Sequence, residues 1–206
     1  MVFEFSIGLI CLTTGVIFLW LWRKISKNEY LEIEALDYLY VSLICLGAAI
    51  YAGALTPLFG NIAQSKIHLF QQITIFGILI MIAFFMHFLS SYDQKPWVAR
   101  AVDLFCFVLL LMCVLDFRFY RGIDSLVTYN FTLTNLSVTL HQPDIGYKAL
   151  STSVFLIIVY STWIFGTAYF KRKHKHVGYL FVGSFLIATL GLHDALWALR
   201  IIERPL

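Results

Sequence analysis

The sequence predicts an all-α membrane protein: a polytopic bundle of six transmembrane helices, with a short β-hairpin in the outer loop 119–147. Two observations carry this. The 206 residues are 60% hydrophobic and 17% aromatic but only 13% charged, against roughly a quarter charged in a typical soluble domain. The apolar residues also fall in runs of about twenty, the length that crosses a hydrocarbon core of about 30 Å at 1.5 Å per residue. Nineteen phenylalanines against four prolines point the same way.

Six runs qualify, near residues 2–22, 36–56, 69–90, 100–118, 149–170 and 177–199. Backbone amides in lipid have no water to bond, so each run must satisfy its own as a helix. The first run has no basic stretch ahead of it and is followed by basic residues, which suits a retained helix rather than a cleaved leader. No repeat or low-complexity linker divides the chain, so 1–206 is read as a single transmembrane domain.

The connections set the expected orientation. Arg23, Lys24 and Lys27 follow the first span, Lys95 and Arg100 the third, and KRKHKH, 171–176, the fifth. The alternate loops are poorer: only Lys66 before the third span, and Arg118, Arg121 and Lys148 spread along 117–148. The positive-inside rule then puts the basic loops in the cytoplasm and the N-terminus outside, in what is expected to be a bacterial inner membrane. Trp20, Trp22, Trp97 and Trp197 fall at the expected interfaces, and His174 and His176 read as contacts to lipid headgroups. Six spans from an outside N-terminus end outside, at IIERPL, so a seventh helix is expected to be missing or cut off.

Several function classes find no support. A net charge of +3 is too small to suggest a nucleic-acid partner. Cys11, Cys45, Cys106 and Cys113 all lie inside apolar runs and form no CxxC pair, so they read as small packing residues. There is no nucleophile elbow, P-loop or HExxH, and no lysine within a span to form a retinal Schiff base. The expectation is a protein that is not an enzyme and holds no metal or other cofactor.

The polar residues gather at the expected outer rim. The stretch GLHDALWALR places His193, Trp197 and Arg200 on one face of the sixth span, with Asp194 about a quarter turn away. Glu4 opens the first span, and His68, Gln71 and Gln72 open the third. Asp116 and Arg118 close the fourth, and Arg121, His141 and Asp144 lie in the outer loop. Ionisable groups at the bilayer centre cost about 2.5–3.5 kcal/mol each on insertion scales and usually face a bundle interior or wet cavity. Two readings stay open. These groups end their helices in the headgroup layer, or His193, Asp194, Trp197, Arg200, Asp116, Arg118, His68, Gln72 and Glu4 line an outward-opening ligand pocket.

His87, in FFMHFLSSY, falls near the inner end of the third span, in the opposite leaflet from His193. That separation argues against a bis-histidine haem and for a hydrogen bond to a neighbouring helix. In the outer loop, LVTYNFTLTNLSVTL alternates enough to suggest a hairpin turning near Asn135. It is either a lid over the rim or an exposed connector.

Two stretches resemble a known family. FFMHFLSSYDQKPWVAR is similar to the third-helix exit, and GLHDALWALRIIERPL to the sixth-helix exit, of the seven-helix transmembrane sensor modules of bacterial histidine kinases and diguanylate cyclases. The resemblance implies a receptor in signal transduction, of two-component type, with His193 and Asp194 carried over by motif. Its implied partners are the lipid bilayer, a small-molecule ligand, a cytoplasmic kinase or cyclase output domain, and a second copy in a homo-oligomer. The alternatives are a non-catalytic accessory subunit of a larger membrane complex or, less favoured, a haem or quinone redox protein.

Overall fold

The structure, a computed structural model, describes residues 2–26, 32–58, 64–93, 95–115, 117–120, 126–131, 136–170, 177–183 and 185. It contains α1 (Val2–Ile25), α2 (Glu32–Leu58), α3 (Gln64–Asp93), α4 (Pro96–Val114), β1 (Leu126–Phe131), β2 (Leu136–His141) and α5 (Ile145–Phe170), in that order. Among the described residues, these five helices are long and apolar enough to cross a membrane. The expected sixth span, 177–199, lies mostly outside the described residues, although 178–183 are helical.

The helix faces show why these segments suit lipid. Ile10 is 64% exposed, Leu104 67% and Trp163 69%. Apolar exposure on this scale is rare on a soluble monomer, and in a bilayer it costs nothing. The helix ends carry ordinary signals. Arg23 and Lys24 sit in the last turn of α1, where the helix dipole favours cations, and the Lys24 ammonium lies 5.2 Å from the centre of the Trp20 ring. Pro57 lies in the final turn of α2. Pro96 opens α4, where its missing N–H is not needed.

One boundary differs from expectation. Hydropathy extends the fourth span to residue 118, but α4 stops at Val114. The Phe117 amide donates back to the Met112 carbonyl at 2.9 Å, a six-to-one bond of the kind that closes helices. Arg118 then adopts φ 51° in the left-handed region, turning the chain away. Hydropathy does not register such a stop, because Leu115 and Phe117 are as apolar as the helix before them.

The packing has two kinds of seam. On one side of α3 the helices meet through small residues. Gly8 and Gly15 of α1 face Ala52 and Cys45 of α2, and the Ser42 hydroxyl donates to the Gly15 carbonyl at 2.8 Å. Gly47 of α2 and Gly77 of α3 cross almost backbone to backbone: a methyl group on Gly47 would lie 2.8 Å from the Gly77 oxygen, and one on Gly77 2.7 Å from the Tyr51 nitrogen. Small residues let helix backbones approach where lipid supplies no hydrophobic drive. On the other side α3, α4 and α5 pack through large side chains in two clusters. Ile75, Leu79, Leu109 and Leu150 lie in one, and Met86, Leu89, Ala99 and Phe165 in the other.

The β-hairpin expected in loop 119–147 is present. Its two strands pair antiparallel from Leu126↔His141 to Phe131↔Leu136, and Leu126 and Leu140 pack against Leu58 of α2 and Ile67 of α3. The expected turn, at residues 132–135, lies outside the described residues.

The glycine crossing yields a direct test. Gly47→Ala or Gly77→Ala should cost about 1–3 kcal/mol through overpacking, seen as a lower melting temperature in detergent micelles. Gly53→Ala, with nothing within 4 Å of the added carbon, should be neutral or gain up to about 1 kcal/mol of helix propensity. Equal losses at all three positions would mean that the close approach does not govern packing.

Candidate functional site

The hairpin end of the bundle gathers polar and aromatic side chains from four segments. His68 and Gln71 come from the second turn of α3, Tyr120 from the turn after α4, His141 from the end of β2 and Tyr147 from the start of α5. His141 is 3% exposed, Gln71 5% and Tyr120 7%. The His68, His141 and Tyr120 rings meet in a closed triangle, with centroids 5.5 Å apart for the two histidines, 5.9 Å for Tyr120 and His141, and 6.1 Å for His68 and Tyr120. The Tyr147 ring adds a fourth face, 6.3 Å from Tyr120.

Backbone bonds place these rings. The His141 amide donates to the Gln71 side-chain oxygen at 3.1 Å, tying the last residue of the hairpin to α3. The Asp144 amide donates to the Phe119 carbonyl and the Gly146 amide to the Arg118 carbonyl, at 3.1 and 3.0 Å, and Tyr120 bridges to Pro143. Phe119 is fully buried against Gly146, where any β-carbon would come within 2.7 Å of its ring. Residues 117–120 and 143–146 thus form a clasp that holds Tyr120 and His141 over the first turns of α3.

The residues proposed from sequence divide into three groups. His68, Gln72 and Arg118 are described and lie at this end. His68 belongs to the ring triangle. The Gln72 amide instead donates to the Cys113 carbonyl of α4 at 3.0 Å, satisfying one of the carbonyls a helix end leaves open. The exposed Arg118 contributes its carbonyl to the clasp and its left-handed backbone to the turn. Glu4 stands in the first turn of α1, with its side chain outside the described residues. Asp116, His193, Asp194, Trp197 and Arg200 lie outside them altogether.

Sequence reasoning marks Gln71 and His141 as polar groups at this level but does not foresee their bond, and it misses Tyr120 and Tyr147. Their signal is weak: aromatic residues flanking an outer loop read as interfacial belt. No group of three or more metal-ligating side chains occurs among the described residues. Comparison of the chain with protein-family models, curated proteins and solved structures finds no match.

At the opposite end, the His87 imidazole Nε2 lies 2.8 Å from Asp103 Oδ2 of α4, in keeping with the neighbouring-helix bond expected for it. The Tyr160 hydroxyl of α5 donates to Asp93 Oδ2 at 2.5 Å, and the Lys95 ammonium lies 3.2 Å from the same oxygen.

The tie between Gln71 and His141 can be tested by itself. Gln71→Leu leaves a buried donor unsatisfied, at about 1–3 kcal/mol, so hydrogen-exchange protection of the His141 amide should fall about tenfold or more. Lys66→Ala, at the same end but exposed, should leave it unchanged. Undiminished protection in Gln71→Leu would remove the tie from the account of this site.

Proposed function

We propose that the chain is a membrane-embedded sensory module. In this reading a small ligand binds at the hairpin end, which faces outside with the N-terminus, and the signal passes to a kinase or cyclase output domain in the cytoplasm. The observation that carries it is the ring cluster of His68, Tyr120 and His141, seated on α3 under the clasp. It combines aromatic faces with polar edges where a turn of α3, the turn after α4 and the end of the hairpin converge, and residues gathered from loop ends onto a rigid scaffold are a common build of a recognition site. His193, Asp194, Trp197 and Arg200 join the same proposed site through their expected place at the outer end of the sixth span.

The course of α3 supports transmission. One continuous helix bears Gln71 and Gln72 at the hairpin end and His87 and Asp93 at the other. A ligand that favoured one seating of the hairpin on α3 would bias contacts with α4 and α5 at the far end. A ligand shifts such an equilibrium only by its difference in affinity for the two seatings.

Two experiments test this reading. For orientation, single cysteines at Thr128 in β1 and at Trp97 near the start of α4, both exposed, are introduced without the native cysteines. An impermeant maleimide on intact cells should label position 128 and spare 97, and the reverse pattern would overturn the outside placement of the hairpin. For binding, protein in nanodiscs is screened for thermal stabilisation by small polar and aromatic compounds. A true ligand at about a hundred times its Kd should add about 2.7 kcal/mol. His68→Ala and Asp194→Ala should each weaken its binding by roughly ten- to a hundredfold, the range for losing a charged hydrogen bond of about 1.5–3 kcal/mol. A panel without any stabilising compound would favour the accessory-subunit reading.

A further inference from the structure

We propose that the groove between the end of α5 and residues 181–185 is a lipid site, seating an acyl chain of an anionic phospholipid in the leaflet away from the hairpin. The inference rests on the bilayer placement of the helices and not on the receptor reading. One face of α5 is already occupied: Ile164, Phe165 and Ala168 pack with Met86, Leu89 and Ala99 of α3 and α4. Val159, Thr162, Trp163, Gly166 and Phe170 form another stripe, at helical spacing. They line a cavity of about 590 Å³ whose far wall is Phe181 and Phe185. Gly166 lets that wall come close, since a β-carbon there would lie 3.1 Å from the Phe181 ring. The Phe181 ring also lies 5.6 Å from that of Phe170 and 6.4 Å from that of Phe185.

Dimensions and chemistry select the occupant. No lining residue is charged, and the Thr162 hydroxyl is spent on the Ile158 carbonyl at 2.9 Å, so the groove suits hydrocarbon. From Val159 to Phe170, the last residue of α5, it runs about 16 Å at 1.5 Å per residue. That is close to the depth of one leaflet, half of a core about 30 Å thick. Spread over that length, 590 Å³ gives a groove about 7 Å across, whereas a helix with its side chains is about 10–12 Å wide. An extended lipid chain fits, and a helix does not. The sign of the headgroup follows from the sequence. Phe170 is followed directly by KRKHKH, residues 171–176, with four Lys or Arg, and consecutive Cα atoms are about 3.8 Å apart. Positive charge therefore begins at the mouth of the groove, where a seated lipid carries its phosphate. Basic residues at a membrane surface attract anionic headgroups.

The test reads quenching of Trp163, which lines the groove, by lipids with brominated chains. The full chain is reconstituted in phosphatidylcholine vesicles with a minor share of brominated phosphatidylglycerol or, in parallel, brominated phosphatidylcholine. The Trp163 signal is the difference between the native chain and Trp163→Phe. Phosphatidylglycerol should occupy the groove with about fivefold preference, equivalent to about 1 kcal/mol, the scale of one basic contact at a membrane surface. Lys171→Gln combined with Arg172→Gln should remove the preference while quenching by phosphatidylcholine is retained. Thr162→Phe, which fills the groove from its wall, should also abolish the preference. Equal quenching by the two lipids in the native chain overturns the proposal. So does a preference that survives Thr162→Phe, because the basic run would then gather anionic lipid without the groove. Absence of Trp163 quenching by either lipid overturns it too, since a protein segment or a second copy would then fill the groove.

Discussion

Helix α3 carries Gln71, Gln72, His87 and Asp93, and each meets a partner on another segment: β2, α4, α4 and α5 in turn. In hydrocarbon a polar side chain cannot fall back on water, so the segment supplying the partner is fixed in rotation and height. Measured helix–helix hydrogen bonds in a bilayer average only about 0.6 kcal/mol. Their value here lies less in energy than in register. Four such bonds on one helix leave α4, α5 and the hairpin few alternative positions around it.

The opposite flank of α3 is organised differently. Helix α2 crosses it at Gly47 and Gly77, and α1 packs in turn on α2 through Gly8 and Gly15, with the Ser42 hydroxyl bonded to a backbone carbonyl. Close packing there depends on shape, through dispersion attractions that are individually small and collectively large. The bundle is therefore two-sided. One flank is defined by specific polar pairs and large side chains, and the other by the absence of side chains. The polar flank is also where the clasp, the ring triangle and the His87–Asp103 pair are found.

Hydropathy made five helices and the hairpin legible, because lipid imposes a length and alternation imposes a strand. The end of α4 was not legible, since a stop made by backbone geometry at Arg118 leaves no mark on apolar content. Gln71 and His141 were visible as polar residues at one level. Their bond spans seventy positions in the chain, and nothing local to either residue announces it. Gln72 was drawn into the site by its height, whereas its amide is engaged with the end of α4. Asp103 was the missed signal. A carboxylate within an otherwise apolar span requires a partner, and His87 was the available base in the neighbouring helix.

The point at which Gln72 meets Cys113 has a consequence for the shape of the membrane around the protein. Cys113 is the penultimate residue of α4, whereas eight residues of α3 precede Gln72, or about 12 Å of helix at 1.5 Å per residue. Neighbouring helices therefore end at unequal heights on the same side of the bundle. The hairpin sits against the taller one, filling the step with protein rather than lipid. Where the hydrocarbon core is thicker than α4 is tall, the leaflet beside its exposed outer face has to thin, at fractions of a kcal/mol per Å of mismatch. Bilayer thickness thereby becomes a variable to which this side of the molecule is mechanically coupled.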